Sequence, residues 1–109
     1  DTNLKLYYGG STAQTPIDLG ANFPKNTLST DVYELVLFSP STSLNTVGYR
    51  VTRLNTNNFS EGTITGTTAG VQLPSATTLL NMSWNYRTTN TANSTVAIDI
   101  MSDYIETDY

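Results

Sequence analysis

The sequence predicts an all-β domain, a single antiparallel β-sandwich or jelly roll of about seven to eight short strands. Three observations carry that expectation. Short apolar-rich runs alternate with polar, turn-rich stretches along the whole 109-residue chain. Within several runs the apolar residues recur at period two, the spacing of a half-buried strand. Threonine, asparagine and serine number 20, 11 and 10. Threonine supports strands, whereas asparagine and serine bond their own backbone at turns.

The first run, Leu4-Lys5-Leu6-Tyr7-Tyr8, alternates and stops at Gly9-Gly10, which reads as a strand followed by a turn. Tyr7 and Tyr8 are adjacent, so they point to opposite faces and one is expected outside. Residues 11–30 hold two prolines, one glycine and no sustained periodicity. They read as a long surface loop with one short strand near Ile17 to Leu19, and long loops often carry function. Asp31 to Phe38 (DVYELVLF) admits a buried strand or a short helix opened by Asp31 with Glu34 three residues later. Its valines, aromatic ends and the Ser39-Pro40 stop favour the strand.

Thr46 to Leu54 is a clearer strand, with Val47, Tyr49 and Val51 on one face and Arg50 and Thr52 on the other. Gly62 to Thr68 and Val71 to Leu73 read as short strands separated by Gly70. Pro74 opens a stretch in which Ser75 to Thr78 are able to start one helical turn. Leu80, Met82, Trp84 and Tyr86 then alternate with Asn81, Ser83, Asn85 and Arg87, a half-buried strand with Trp84 in the core. Thr88 to Ser94 reads as an exposed turn. Thr95 to Tyr104 alternates again, with Val96, Ile98 and Ile100 inward and Ala97 and Asp99 outward. No internal repeat is visible.

At 109 residues the chain suffices for one domain, residues 1–109, with its own core. Hydrophobic residues make up 38% and charged residues 13%, with seven tyrosines, three phenylalanines and one tryptophan, a composition that folds rather than staying disordered. The polar start DTN reads as the end of a linker, so the chain is expected to be excised from a longer one. Five basic residues face nine acidic ones for a net charge of −4. Without a basic cluster, nucleic-acid binding and attachment to anionic membranes are disfavoured. No run is long enough for a spanning helix, and none reads as a signal peptide.

Cysteine and histidine are both absent. That excludes disulfides, thiol nucleophiles, thiolate or imidazole metal ligands and a Ser-His triad. Lys5 and Lys25 sit in no recognisable motif with a serine, and no Asp-Thr-Gly or Asp-Ser-Gly motif occurs. A pair of carboxylates across a sugar cleft would suffice for glycoside hydrolysis, but so small a domain rarely shapes one. The expectation is a non-enzyme without a cofactor.

Four acidic residues near the C-terminus, Asp99, Asp103, Glu106 and Asp108, are the one candidate metal set. Calcium takes several oxygens in a flexible cage, yet no glycine-bearing calcium loop is present, so a solvated strand face outweighs it. Sequons stand at Asn58, Asn81 and Asn93. Asn58 and Asn93 fall in expected loops and are the candidate glycosylation sites, whereas Asn81 falls within an expected strand. Tyr7 or Tyr8, Tyr104 and Tyr109 are candidate exposed aromatics, suited to protein or carbohydrate contact. Against that stands the ordinary role of tyrosine as a core or rim filler.

The stretches GTITGTTAG and SWNYRTTNTANSTVAIDI and the start DTNLKLYYGG give the chain a profile that resembles the protruding surface domains of small non-enveloped viruses, the spikes of nodavirus- and tombusvirus-like capsids. The likeness is one of composition and spans the whole chain, so no functional residue is carried over. It implies a non-catalytic β-sandwich on the virion surface that pairs with a twin and faces a host-cell receptor, protein or glycan. Loop tips within 11–30, 55–61 and 88–94 would make the contact, through Thr12, Asn22, Asn57, Asn58, Asn90 and Asn93. A microbial adhesin, pilin-like or phage tail-tip domain, extracellular or at the cell surface, would share this composition. A carbohydrate-binding module attached to an enzyme would share it too.

Overall fold

The computed structural model describes residues 2–25, 30–39, 45–75 and 99–106. The chain divides into two units, Asp1–Leu79 and Leu80–Tyr109. Every regular element among the described residues is a strand, and all belong to the first unit. They are β1 (Lys5–Leu6), β2 (Ile17–Asp18), β3 (Tyr33–Phe38), β4 (Thr46–Arg53) and β5 (Asn58–Thr65). β1 and β2 form a two-stranded antiparallel sheet, and β3-β4-β5 form a three-stranded antiparallel meander.

The small sheet is short because its backbone leaves the ladder after two residue pairs, Lys5↔Asp18 and Leu6↔Ile17. Single bonds extend its hold. Leu4 N–H donates to the Phe23 carbonyl at 2.7 Å, Leu19 N–H to the Leu4 carbonyl at 3.1 Å, and Lys25 N–H to the Thr2 carbonyl at 3.0 Å. Asp18 turns the chain after β2. Its Oδ1 accepts from the Gly20 N–H and from Asn3 Nδ2, both at 2.8 Å, the local bond by which aspartate favours turns.

Within the stretch 11–30 expected to be a surface loop, the described residues 11–25 depart from that expectation, since Leu19 and Phe23 are buried. Phe23 is only 1% exposed. Apolar burial overrode the polar look of the stretch, because single large side chains anchor a chain without any periodicity. With Tyr49, Val51, Ile64 and Leu73 they form the core, flanked by Leu4, Leu6, Tyr8, Ile17 and Val47. Leu6 of β1 and Ile17 of β2 thus pack against the core to which β4 and β5 contribute Tyr49, Val51 and Ile64. Burying Phe23 contributes roughly 1.5–3 kcal/mol.

β4 ends at Arg53, one residue before the expected Leu54, and keeps its expected faces, with Tyr49 and Val51 buried and Arg50 exposed. β5 starts four residues earlier than the glycine expected to open it. Asn58 to Glu61 are strand, not loop, because the ladder with β4 continues to Arg53↔Asn58. The connection shrinks to residues 54–57, where Asn57 takes the left-handed conformation (φ 57°) that asparagine tolerates.

Val71 to Leu73 are a turn rather than a strand. Their backbone is spent elsewhere: Gly10 and Thr12 N–H groups donate to the Val71 carbonyl at 3.1 and 3.3 Å, and Ser11 N–H to the Gly70 carbonyl at 2.8 Å. The approach is so close that a Cβ on Gly10 would lie 2.5 Å from the Gly70 and Leu73 carbonyl oxygens, so glycine alone fits.

In the second unit the described residues 99–106 form no strand and are exposed. Ile100, expected inward, is 46% exposed. Alternation alone does not make a strand, and no described residue supplies a ladder here. The expected strand from Leu80 with Trp84, the turn 88–94 and residues 95–98 lie outside the described residues.

Candidate functional site

The larger sheet has two unlike faces, set by the registers Tyr33↔Arg53 and Arg53↔Asn58. Odd residues of β3 and β4 and even residues of β5 share the inner face. The outer face carries Glu34, Val36, Phe38, Arg50, Thr52, Phe59, Glu61, Thr63 and Thr65. These side chains meet in specific ways. The Arg50 guanidinium lies over the Phe59 ring, 4.3 Å from its centroid, and Arg50 Nη1 reaches Glu61 Oε2 at 3.4 Å. The Phe38 ring occupies the space a side chain would need at Gly48, its direct cross-strand partner. Val36, Phe38, Arg50, Glu61 and Thr63 line an open groove of about 440 Å³.

β3 is unusual in being apolar and yet exposed throughout. Leu35, Val36, Leu37 and Phe38 are 45, 43, 49 and 57% exposed. Both faces of the strand are involved, since Leu35 and Leu37 point inward and Val36 and Phe38 outward. An exposed apolar strip of this kind is a candidate interaction surface.

One end of β3 is locked by a polar cluster. Asp31 Oδ1 accepts from Arg53 Nη2 at 2.8 Å, Arg53 Nε at 3.2 Å and Asn55 Nδ2 at 2.9 Å, while Oδ2 accepts from the Tyr33 hydroxyl at 3.2 Å. Arg53 Nη1 also donates to the Asn22 carbonyl at 3.1 Å. Arg53 therefore ties the β3–β4 sheet to the segment that carries Phe23, whose ring centroid lies 6.3 Å from that of Tyr33. The Arg53 bonds, then that of Asn55, hold the Asp31 carboxyl below its ordinary value. Burial, reinforced by the bond to Asp31, pushes the Tyr33 phenol up. Bonds from the Gly20 N–H and the Asn3 amide likewise lower Asp18.

The residues expected to make contact are scattered. Thr12 is exposed at a bend and held by Val71. Asn22 is exposed in a turn and committed through its carbonyl to Arg53. Asn57 is at the tip of the β4–β5 turn. Asn58 is half-buried at the start of β5, with Nδ2 donating to Thr56 Oγ1 at 3.1 Å, so its sequon sits in a strand and not in a loop. Asn90, Asn93 and Asn81 lie outside the described residues. Tyr7 is 68% exposed while Tyr8 packs on the core, so the outward member of that pair is Tyr7.

Asp99, Asp103 and Glu106 follow one another along exposed, irregular chain, and Asp108 lies outside the described residues. Glu106 Oε2 accepts from the Tyr104 hydroxyl at 2.8 Å, which raises that phenol's pKa. Among the described residues no three carboxylates gather as metal ligands would. The outer-face cluster Arg50–Phe59–Glu61 was not anticipated. Its signal was available in the spacing: a four-residue turn closing Arg53 on Asn58 sets Arg50 opposite Glu61. No family model, curated relative or solved structure matches the chain.

Proposed function

We propose that this chain is a non-catalytic recognition domain, the protruding part of a viral capsid protein, which pairs with its twin and attaches the virion to a host-cell receptor. The observation that carries the reading is β3, six residues long with Leu35, Val36, Leu37 and Phe38 all presented to solvent. Monomers rarely expose so continuous an apolar strip unless something binds it. The two antiparallel sheets around one core are in keeping with a β-sandwich, the finer architecture we infer for the domain. Such a scaffold displays its loop tips rigidly, and Thr12, Asn22 and Asn57 offer neutral polar contact without charge.

The test is attachment. Labelled domain should bind host cells saturably and compete with whole particles. Thr12→Ala, Asn22→Ala and Asn57→Gly combined should reduce binding about tenfold or more with the melting temperature held; glycine keeps the left-handed backbone at position 57. Undiminished attachment would sink the loop-tip contact. A parent reading frame with cell-wall anchors or a catalytic domain, in place of a capsid shell, would overturn the viral assignment.

A further inference from the structure

Successive residues of an antiparallel strand turn their backbone N–H and C=O alternately to one neighbour and the other. The Leu54 N–H donates to the Val32 carbonyl at 2.8 Å, continuing the β3–β4 register beyond Tyr33↔Arg53. The residues of β3 bonded to β4 are therefore Glu34, Val36 and Phe38. A second bond agrees: Gly66 N–H donates to the Asn45 carbonyl at 2.8 Å, which assigns odd residues of β4 to β5 and leaves even ones for β3. Tyr33, Leu35 and Leu37 consequently turn their backbone groups to the open edge of β3, where no described residue pairs with them.

Natural edges are blunted by lysine, proline, a bulge or brevity. β3 (YELVLF) has none of these, its register is unbroken, and Glu34 is its single charge. We propose that a second copy of the chain adds its own β3 to this edge, antiparallel, about a twofold axis normal to the sheet and between the two Leu35 residues. The proposal rests on the twin-pairing part of the function above and names its face.

The register follows from three constraints. An axis normal to the sheet keeps like faces together, so odd residues meet odd ones. Centring on Leu35 sets Tyr33 against Leu37 of the second copy and engages all three outward residues, for about six backbone hydrogen bonds. It also keeps Glu34 of the second copy opposite the uncharged Val36. Centring on Glu34 would oppose two carboxylates, and centring on Val36 would use only Leu35 and Leu37 within the strand.

Amide exchange on the unaltered chain tests the parity. Between micromolar and millimolar protein, the N–H groups of Tyr33, Leu35 and Leu37 should gain protection about tenfold or more, while those of Glu34, Val36 and Phe38 stay protected throughout. Because the chain has no cysteine, Leu35→Cys offers a second reading. Directly opposed residues in a bonded pair have Cα atoms about 5.5 Å apart, within disulfide reach, whereas Val36→Cys in this register is beyond it. Oxidised Leu35→Cys should run as a covalent dimer and Val36→Cys should not. A sedimenting dimer with unprotected Leu35, or cross-linking at position 36 instead, would overturn this face and leave self-association standing. A monomer at millimolar concentration, with unchanged exchange, would overturn both.

Discussion

β3 and β4 are neighbours with opposite fates. β4 (TVGYRVTR) is the more polar, yet it buries Tyr49 and Val51; β3 (YELVLF) is nearly all apolar, yet every residue is exposed. The difference is position. Among the described residues β4 is central and shares a core with Leu19, Phe23 and Leu73, whereas β3 lies at the sheet edge and meets that layer through Tyr33 at one end. Segment hydrophobicity therefore does not decide burial here; what lies across from the segment does. Among the described residues, β3 is an apolar edge strand with no further strand beside it.

Paired substitutions across the two regions would break or sharpen this contrast. The largest difference is expected between aromatic residues: Phe23→Ala should cost about 3–5 kcal/mol, and Phe38→Ala about 0.5–1 kcal/mol, by urea denaturation. Comparable losses would mean that β3 is covered in solution by the protein itself. Next come the two glycines that lie beneath aromatic rings. A Cβ on Gly62 would meet the buried Tyr49 ring at 2.8–3.0 Å, so Gly62→Ala should cost about 1–3 kcal/mol. Gly48→Ala intrudes on Phe38 more severely, yet that ring is free to swing into solvent, and the cost should stay below about 1 kcal/mol. A reversed order would show that the outer ring is fixed.

A smaller effect is expected from acid. Asp31 and Asp18 have folded pKa values below their ordinary 3.8, so the stability they add is fully present above that value and is lost as pH falls through the depressed folded values. Melting temperature should therefore drop between about pH 5 and about pH 2, and Asp31→Asn should flatten that drop. An unchanged pH slope in the variant would remove Asp31 from the account. Smallest of all, Arg50→Ala on the exposed outer face should cost about 0.5–1 kcal/mol and lose its salt dependence.

The sequence made β4 legible because its periodicity and its burial coincide. It pointed to β1, to the short strand at Ile17, and to a strand rather than a helix at Tyr33–Phe38. It missed the start of β5, since Asn57-Asn58-Phe59-Ser60 has the composition of a loop while a neighbour's ladder holds part of it in a strand. It took Val71–Leu73 for a strand because nothing local reveals that those carbonyls serve Gly10 and Thr12. Of the candidate site, Tyr7 outside was legible from adjacency alone. Arg50, Phe59 and Glu61 were not, because they meet only once the register is fixed.

The bonds from Gly10, Ser11 and Thr12 to Gly70 and Val71 also set an order of events. During synthesis the first turn of the chain has to wait for partners about sixty residues further on, and closing so long a span carries an entropic cost before any contact repays it. Leu73 completes the core at the same moment. Chains halted before Val71 are accordingly predicted to be protease-sensitive from their first residue, and chains a few residues longer to become resistant all at once.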